Sequence, residues 1–153
     1  MNLIGEKMAQ MVDVTNKPII YREAMASGEI KLREETIKKI LNKQIEKGDV
    51  EAVASVAAIM AAKDASKIIP LAHPLPITGV SVNFSYEKNK VKITVKVKTK
   101  AETGVEMDAL AGVTAGLLAV WDMVKQYEKD SNGMYPDTFI TNVKVENKIK
   151  KEI

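Results

Sequence analysis

The 153-residue chain has no cysteine, which excludes a disulfide framework and a thiolate metal site. It has one histidine, so a zinc site would have to be built mostly from carboxylates, an unusual donor set. Long apolar runs are missing: the longest uncharged apolar stretch, Ala109 to Trp121, is 13 residues and too short to span a bilayer. The N-terminus mixes charges with its apolar residues and carries no secretory signal pattern, so the expected location is the cytoplasm, with no membrane partner. Excess charge of one sign is small, with 23 basic against 20 acidic residues and a net charge of +3. That fits a phosphate-bearing ligand without pointing to one. Aromatic residues are scarce, at 5%. No repeat, low-complexity tract or linker divides the chain. At 46% hydrophobic and 28% charged it has the composition of one globular domain, residues 1–153, with 1–18 expected as a partly ordered arm.

The lone histidine sits in Ile69-Pro70-Leu71-Ala72-His73-Pro74-Leu75-Pro76. Three prolines in seven residues fix φ near −65° and exclude a helix interior, so His73 belongs to a stiff loop. It follows a helical segment and precedes a strand-like one, the kind of place where a fold puts chemistry. Its ordinary pKa lies near neutrality, which suits proton transfer. A loop histidine that merely hydrogen-bonds a neighbour is the plainer alternative.

Ile19 to Leu32 is strand-like, with an expected interruption near Ser27-Gly28. Ile37, Ile40, Leu41 and Ile45 follow helical spacing and predict a helix over about Arg33 to Ile45. Gly48 is its expected C-cap, and Asp49 the N-cap of an alanine-rich, deeply buried helix over Val50 to Ala62. Val80, Val82, Phe84 and Tyr86, then Val91, Ile93, Val95 and Val97, alternate with polar residues around the turn Glu87 to Lys90. This predicts a hairpin with one wet face. The alternating lysines from Lys90 to Lys100 read as a solvated face or as protection of an edge strand. An RNA-binding sheet would carry aromatics there, and none is present, so no nucleic-acid partner is expected. Thr103-Gly104-Val105-Glu106 matches a capping box and opens a helix reaching about Glu128. Thr138 to Lys148 forms the last strand. Counting the two neighbouring helices as one crossover gives β-α-β-β-α-β: an α+β, ferredoxin-like split β-α-β sandwich with an antiparallel sheet and helices on one face.

On the long helix, Asp108, Ala111, Ala115, Leu118, Asp122 and Lys125 are spaced three and four apart and form one stripe. Asp108 and Asp122 stand ~21 Å apart along it, too far for one site. Two such helices antiparallel across a two-fold axis would bring Asp108 of one to Asp122 of the other. Gly112, Gly116, Ala111, Ala115 and Ala119 would permit their close approach. The expectation is a homodimer with composite sites. Taken singly, each charge also has a plain structural use: Glu106 in the capping box, Asp108 at a helix N-terminus, Asp122 with Lys125 as an exposed pair.

Six segments occur in order: Met11-Val12-Asp13-Val14-Thr15-Asn16-Lys17, Lys47-Gly48-Asp49-Val50, Ile59-Met60-Ala61-Ala62-Lys63, Ile69 to Leu75, Thr103 to Leu110, and Trp121-Asp122-Met123-Val124-Lys125. Together they resemble the molybdenum cofactor biosynthesis protein C (MoaC) family, from about Met11 to Lys148. The resemblance implies a cytoplasmic lyase, cyclic pyranopterin monophosphate synthase. Its substrate is a nucleotide derivative, a 3′,8-cyclised dihydroguanosine triphosphate, and diphosphate leaves. It also implies a ferredoxin-like fold, a hexamer built as a trimer of dimers with sites at dimer interfaces, no cofactor and no resident metal. Divalent-cation assistance to the triphosphate is left open. By position, Asp122, Lys125, Lys47 and Lys148 match the catalytic residues. Leu71, Ala72, His73, Glu106, Met107 and Asp108 match substrate-binding segments, and Asp13 and Lys17 match the N-terminal motif. Ala72 stands where the family commonly has cysteine, and Asp108 where it has glutamate. The common Gly-Gly-Lys-Ser-Gly tail is absent, so Lys144 and Lys150 stand beside Lys148 as alternatives. A non-catalytic nucleotide-binding regulatory module is the alternative function, and a basic nucleic-acid binder the third.

Overall fold

A computed structural model describes residues 8–153. Over them the chain runs β1 (Ile20–Lys31), α1 (Glu34–Leu41), α2 (Val50–Lys63), α3 (Ala65–Ile68), β2 (Ile77–Glu87), β3 (Lys90–Ala101), α4 (Glu106–Glu128) and β4 (Phe139–Lys151). The strands form one antiparallel sheet in the order β2-β3-β1-β4. Helices α2 and α4 lie side by side on one face. This is the expected α+β, ferredoxin-like topology.

Alternation decides the layers. Ala24, Ala26 and Ile30 of β1 and Val91, Ile93, Val95 and Val97 of β3 are almost wholly buried beneath the helices. They meet Ala54, Ala58 and Ala62 of α2 and Val113, Leu117, Val120 and Val124 of α4 in one core. The alternate residues of β3, lysines and Thr94, face away from the helices. β3 is an inner strand, so the edge-protection reading of its lysines falls: β2 and β4 are the edges. On that open face Lys90 pairs with Glu29 at 2.5 Å and Lys92 with Glu146 at 3.7 Å.

Several expectations change in detail. β1 is not interrupted: it pairs with β3 along its whole length, and the irregularities lie only on its β4 side. Gly28 is present because α4 presses on it, since a Cβ there would stand 2.8 Å from Val113 and Leu117 side-chain carbons. Helix α1 stops at Leu41, short of the expected Ile45, because Lys43 adopts a left-handed φ of 57°. Gly48, at φ 117°, shapes the turn into α2 and does not cap α1. Asp49 does cap α2, accepting from the Ala52 N–H at 3.1 Å.

The capping box does not form. Val105 holds the N-cap position of α4 without a side-chain bond, and the Thr103 hydroxyl donates to the Gly104 carbonyl. Gly112 and Gly116 do not face outward towards a second copy. A Cβ on Gly112 would stand 3.1 Å from the Ala58 carbonyl oxygen, and one on Gly116 would stand 3.2 Å from Ile93. The glycines let α4 settle on α2 and the sheet within one chain. Helix α4 is also long and apolar enough, by composition, to cross a membrane, but half of its apolar window is buried in this core. Of the expected arm, 1–7 lie outside the described residues, and 8–18 are irregular apart from a turn at Thr15 and Asn16.

Candidate functional site

Helix α4 is one uninterrupted rod of 23 residues, and the chemistry-bearing side chains gather at its two ends. At the C-terminal end, the Asp122 carboxylate lies between two ammonium groups. Lys125, one turn on, pairs with Oδ1 at 3.1 Å, and Lys47 pairs with Oδ2 at 3.3 Å. Lys47 also donates to the Asp122 carbonyl at 2.8 Å. Lys125, and after it Lys47, hold the Asp122 carboxyl below the usual carboxylate range. Lys47 reaches this point because the irregular segment between α1 and α2 passes over the last turns of α4.

The N-terminal end is assembled from four parts of the chain. Glu106 opens α4 and, instead of closing a capping box, pairs with Lys148 of β4 at 3.2 Å. Its carboxylate folds back over Gly104, where any Cβ would collide with it. Lys17, Arg22, Lys148 and Lys150 line the same cleft, of about 430 Å³, with Glu106. Glu23 lines it too, and four cations against two carboxylates favour an anionic ligand. Lys17 also borders a second cleft, of about 500 Å³, with Asp13 and His73. The half-buried His73 ring donates from Nε2 to the Val12 carbonyl at 2.5 Å, which ties the proline loop to the N-terminal segment. Asp13 accepts from the Thr15 N–H and hydroxyl, and these bonds, with His73 nearby, hold its carboxyl below the usual range.

Asp108 is 7% exposed. Burial first, and then the neighbouring Glu106, push its carboxyl up to about 6. A carboxyl titrating there can both take and give a proton near neutral pH. Leu71 and Met107 are exposed, and Ala72 is half-buried.

The choice among tail lysines becomes a matter of register. Ala24 lies opposite Lys148 and Arg22 opposite Lys150, on the helix side of the sheet. The register then shifts, with Met25 opposite Asn147 and Ala26 opposite Val145, so Glu146 is an extra residue. Beyond it Lys144 lies opposite Ser27 and beside Glu146, on the open side. Lys148 and Lys150 therefore share the cleft, and Lys144 does not. Arg22 is the residue sequence reading missed. Its Nε and Nη2 each donate at 3.1 Å, to the carbonyls of Ala101 and Glu102, clamping the approach to α4. No local motif marks it; only the β1–β4 register brings it beside Lys148.

The structure thus unites Lys47, Asp122 and Lys125 at one end, and Asp13, Lys17, His73, Glu106 and Lys148 around the other. It does not unite Asp108 with Asp122, which one rigid helix holds ~21 Å apart. Between the ends, α4 presents Ala111, Thr114, Ala115 and Leu118 outward, beside Ile68 and Ile69, as an apolar groove of about 320 Å³.

Comparison with known proteins places these residues in context. The profile of the MoaC family matches residues 11–151. The chain is 56% identical over 142 residues to a probable cyclic pyranopterin monophosphate synthase of Aeropyrum pernix, covering 93% of this chain and 97% of that one. It is 51% identical over 148 residues to a probable cyclic pyranopterin monophosphate synthase accessory protein of Methanothermobacter thermautotrophicus, covering 97% and 93%. It is 48% identical over 147 residues to a probable cyclic pyranopterin monophosphate synthase of Pyrococcus horikoshii, covering 96% and 92%.

Proposed function

We propose, from the premise that this chain belongs to the MoaC family, that it is a cyclic pyranopterin monophosphate synthase of molybdenum cofactor biosynthesis. It is a lyase that converts (8S)-3′,8-cyclo-7,8-dihydroguanosine 5′-triphosphate to cyclic pyranopterin monophosphate and diphosphate. Opening the guanine-derived ring and rebuilding it as a pterin requires proton transfers at nitrogen and oxygen. Forming the cyclic phosphate is an intramolecular displacement at the α-phosphorus, in which positioning supplies much of the rate.

The division of labour follows the two ends of α4. Lys125 and Lys148 exchange protons with the substrate, Asp122 orients and charge-balances the lysines, and Asp108 and Glu106 add carboxyl groups at the opposite end. Lys47 and His73, with Lys17, Arg22 and Lys150, hold the triphosphate and offset charge as diphosphate departs. Leu71, Ala72 and Met107 line the base. A divalent ion, where present, arrives on the triphosphate as part of the substrate. The enzyme works in the cytoplasm.

We assign the complete site to a pair of chains. What carries this reading is the placement of the two half-sites at opposite tips of one rigid helix with an apolar groove between them. Antiparallel packing of two α4 helices along that groove puts Asp108 and His73 of one copy near Asp122, Lys125 and Lys47 of the other. Three such pairs make a hexamer.

The test is incubation with the cyclised guanosine triphosphate intermediate and mass-spectrometric detection of the pterin together with diphosphate. Wild type should form both. Asp122→Asn should lower turnover by at least about 100-fold, the scale of misplacing an acid–base group, while sedimenting like wild type. Wild-type-like turnover by this variant would overturn the assignment. Saturable binding of the intermediate with no diphosphate release would instead identify a regulatory nucleotide-binding module.

A further inference from the structure

We infer that Tyr127 is a positioning residue that acts through Lys47, an inference that rests on Lys47 and Asp122 belonging to the site proposed above. Lys47 lies on the segment 42–49 between α1 and α2, in which every residue except Ile45 is exposed. The segment contains two left-handed residues, Lys43 at φ 57° and Gly48 at φ 117°, so neither helix or strand geometry fixes its path. Its first residues are tied back to α1 by the Lys43 and Gln44 N–H groups, and Ile45 anchors in the core; beyond Ile45 its direction is set by contacts with α4.

Two of those contacts fall on the residue just before Lys47. The Glu46 N–H donates to the Tyr127 Oη at 2.8 Å, and Gln126 Nε2 donates to Glu46 Oε2 at 2.8 Å. The lysine then reaches Asp122 one turn back along the same helix. Tyr127 is itself held. Its ring packs on the core, and the Lys39 ammonium lies 5.3 Å from the ring centroid. The next residue, Glu128, is fully buried and accepts from the Arg33 N–H at 3.1 Å and from the hydroxyls of Thr36 and Thr138. A fixed hydroxyl therefore grips the backbone one peptide away from a long, flexible side chain. Among the described residues, the one backbone bond nearer the lysine is that of the Gly48 N–H, donating to the Ile45 carbonyl at 3.1 Å. Removing the hydroxyl frees the backbone at Glu46 and leaves the Lys47 ammonium to sample positions away from Asp122.

The experiment compares the full-length wild type with Tyr127→Phe, which keeps the ring and loses the acceptor. Lys47 should be acetylated faster by an amine-directed reagent, by about five-fold as read by peptide mass spectrometry, the scale of one lost hydrogen bond. Turnover of the cyclised nucleotide should fall by a similar factor, and the thermal midpoint should fall by no more than about 4 °C, the scale of that one bond in a chain of this length. In a Lys47→Ala background, Tyr127→Phe should add no further loss. Unchanged labelling of Lys47, or the same fractional loss of turnover with and without Lys47, overturns the inference. The labelling comparison needs no turnover. If wild type proves inactive on the nucleotide, the functional reading falls and the labelling result still decides whether Tyr127 positions Lys47.

Discussion

Asp108 carries an unusual cost for its place in the fold. Its charged form is disfavoured by burial and by Glu106, so the native carboxyl keeps its proton up to about pH 6, whereas an ordinary aspartate gives it up near 3.8. Between those values the native state binds more protons than the unfolded chain. Its contribution to stability is therefore present at low pH and lost as pH rises through 6. Asp108→Asn should be more stable than wild type at pH 7, on the order of 2 kcal/mol, and should flatten the pH dependence between 4 and 6. Urea unfolding across that range measures both effects. The same variant should lose turnover, the exchange of activity for stability expected where an ionisable group is kept buried for chemistry. Sequence alone placed Asp108 in the first turn of a helix, where a carboxylate is ordinarily favourable. Its burial comes from packing and has no local signature.

Between elements, the close seating of α4 on α2 depends on glycine. Replacing a helical glycine by alanine normally gains about 1 kcal/mol of helix propensity. At Gly112 the new methyl would stand 3.1 Å from the Ala58 carbonyl oxygen, backbone that cannot move without shifting α2. Gly112→Ala should therefore destabilise by about 1 kcal/mol or more despite the propensity gain, read as a lowered urea midpoint with unchanged slope. Elements with a strict period were legible from sequence: the β2–β3 hairpin, because one of its faces is wet, and the cap at Asp49, because its bond is local. The end of α1 was not, because Lys43 adopts a conformation that side chains rarely take. The fate of Glu106 was not, because a partner on β4 outcompeted the expected cap. Among the candidate site residues, ordered motifs supplied the names. The extra residue at Glu146, which separates Lys144 from Lys148, and the register that adds Arg22 appear only when the strands are paired.

For the whole molecule, the proposed pairing has a consequence that no single-chain site shares. Asp108→Asn and Asp122→Asn, each inactive alone, damage opposite halves of the site. Mixed and allowed to exchange, half of the pairs are hybrids, and each hybrid retains one intact site. Turnover should recover to about a quarter of the wild-type level. Recovery on mixing, followed as pterin formation against time of subunit exchange, checks the arrangement, and no recovery would confine the site to one chain. The length of α4 gives this its wider meaning. Because its reactive tips cannot touch, a newly synthesised chain on the proposed pairing is finished as a fold yet silent as a catalyst, and activity begins with an encounter rather than with folding.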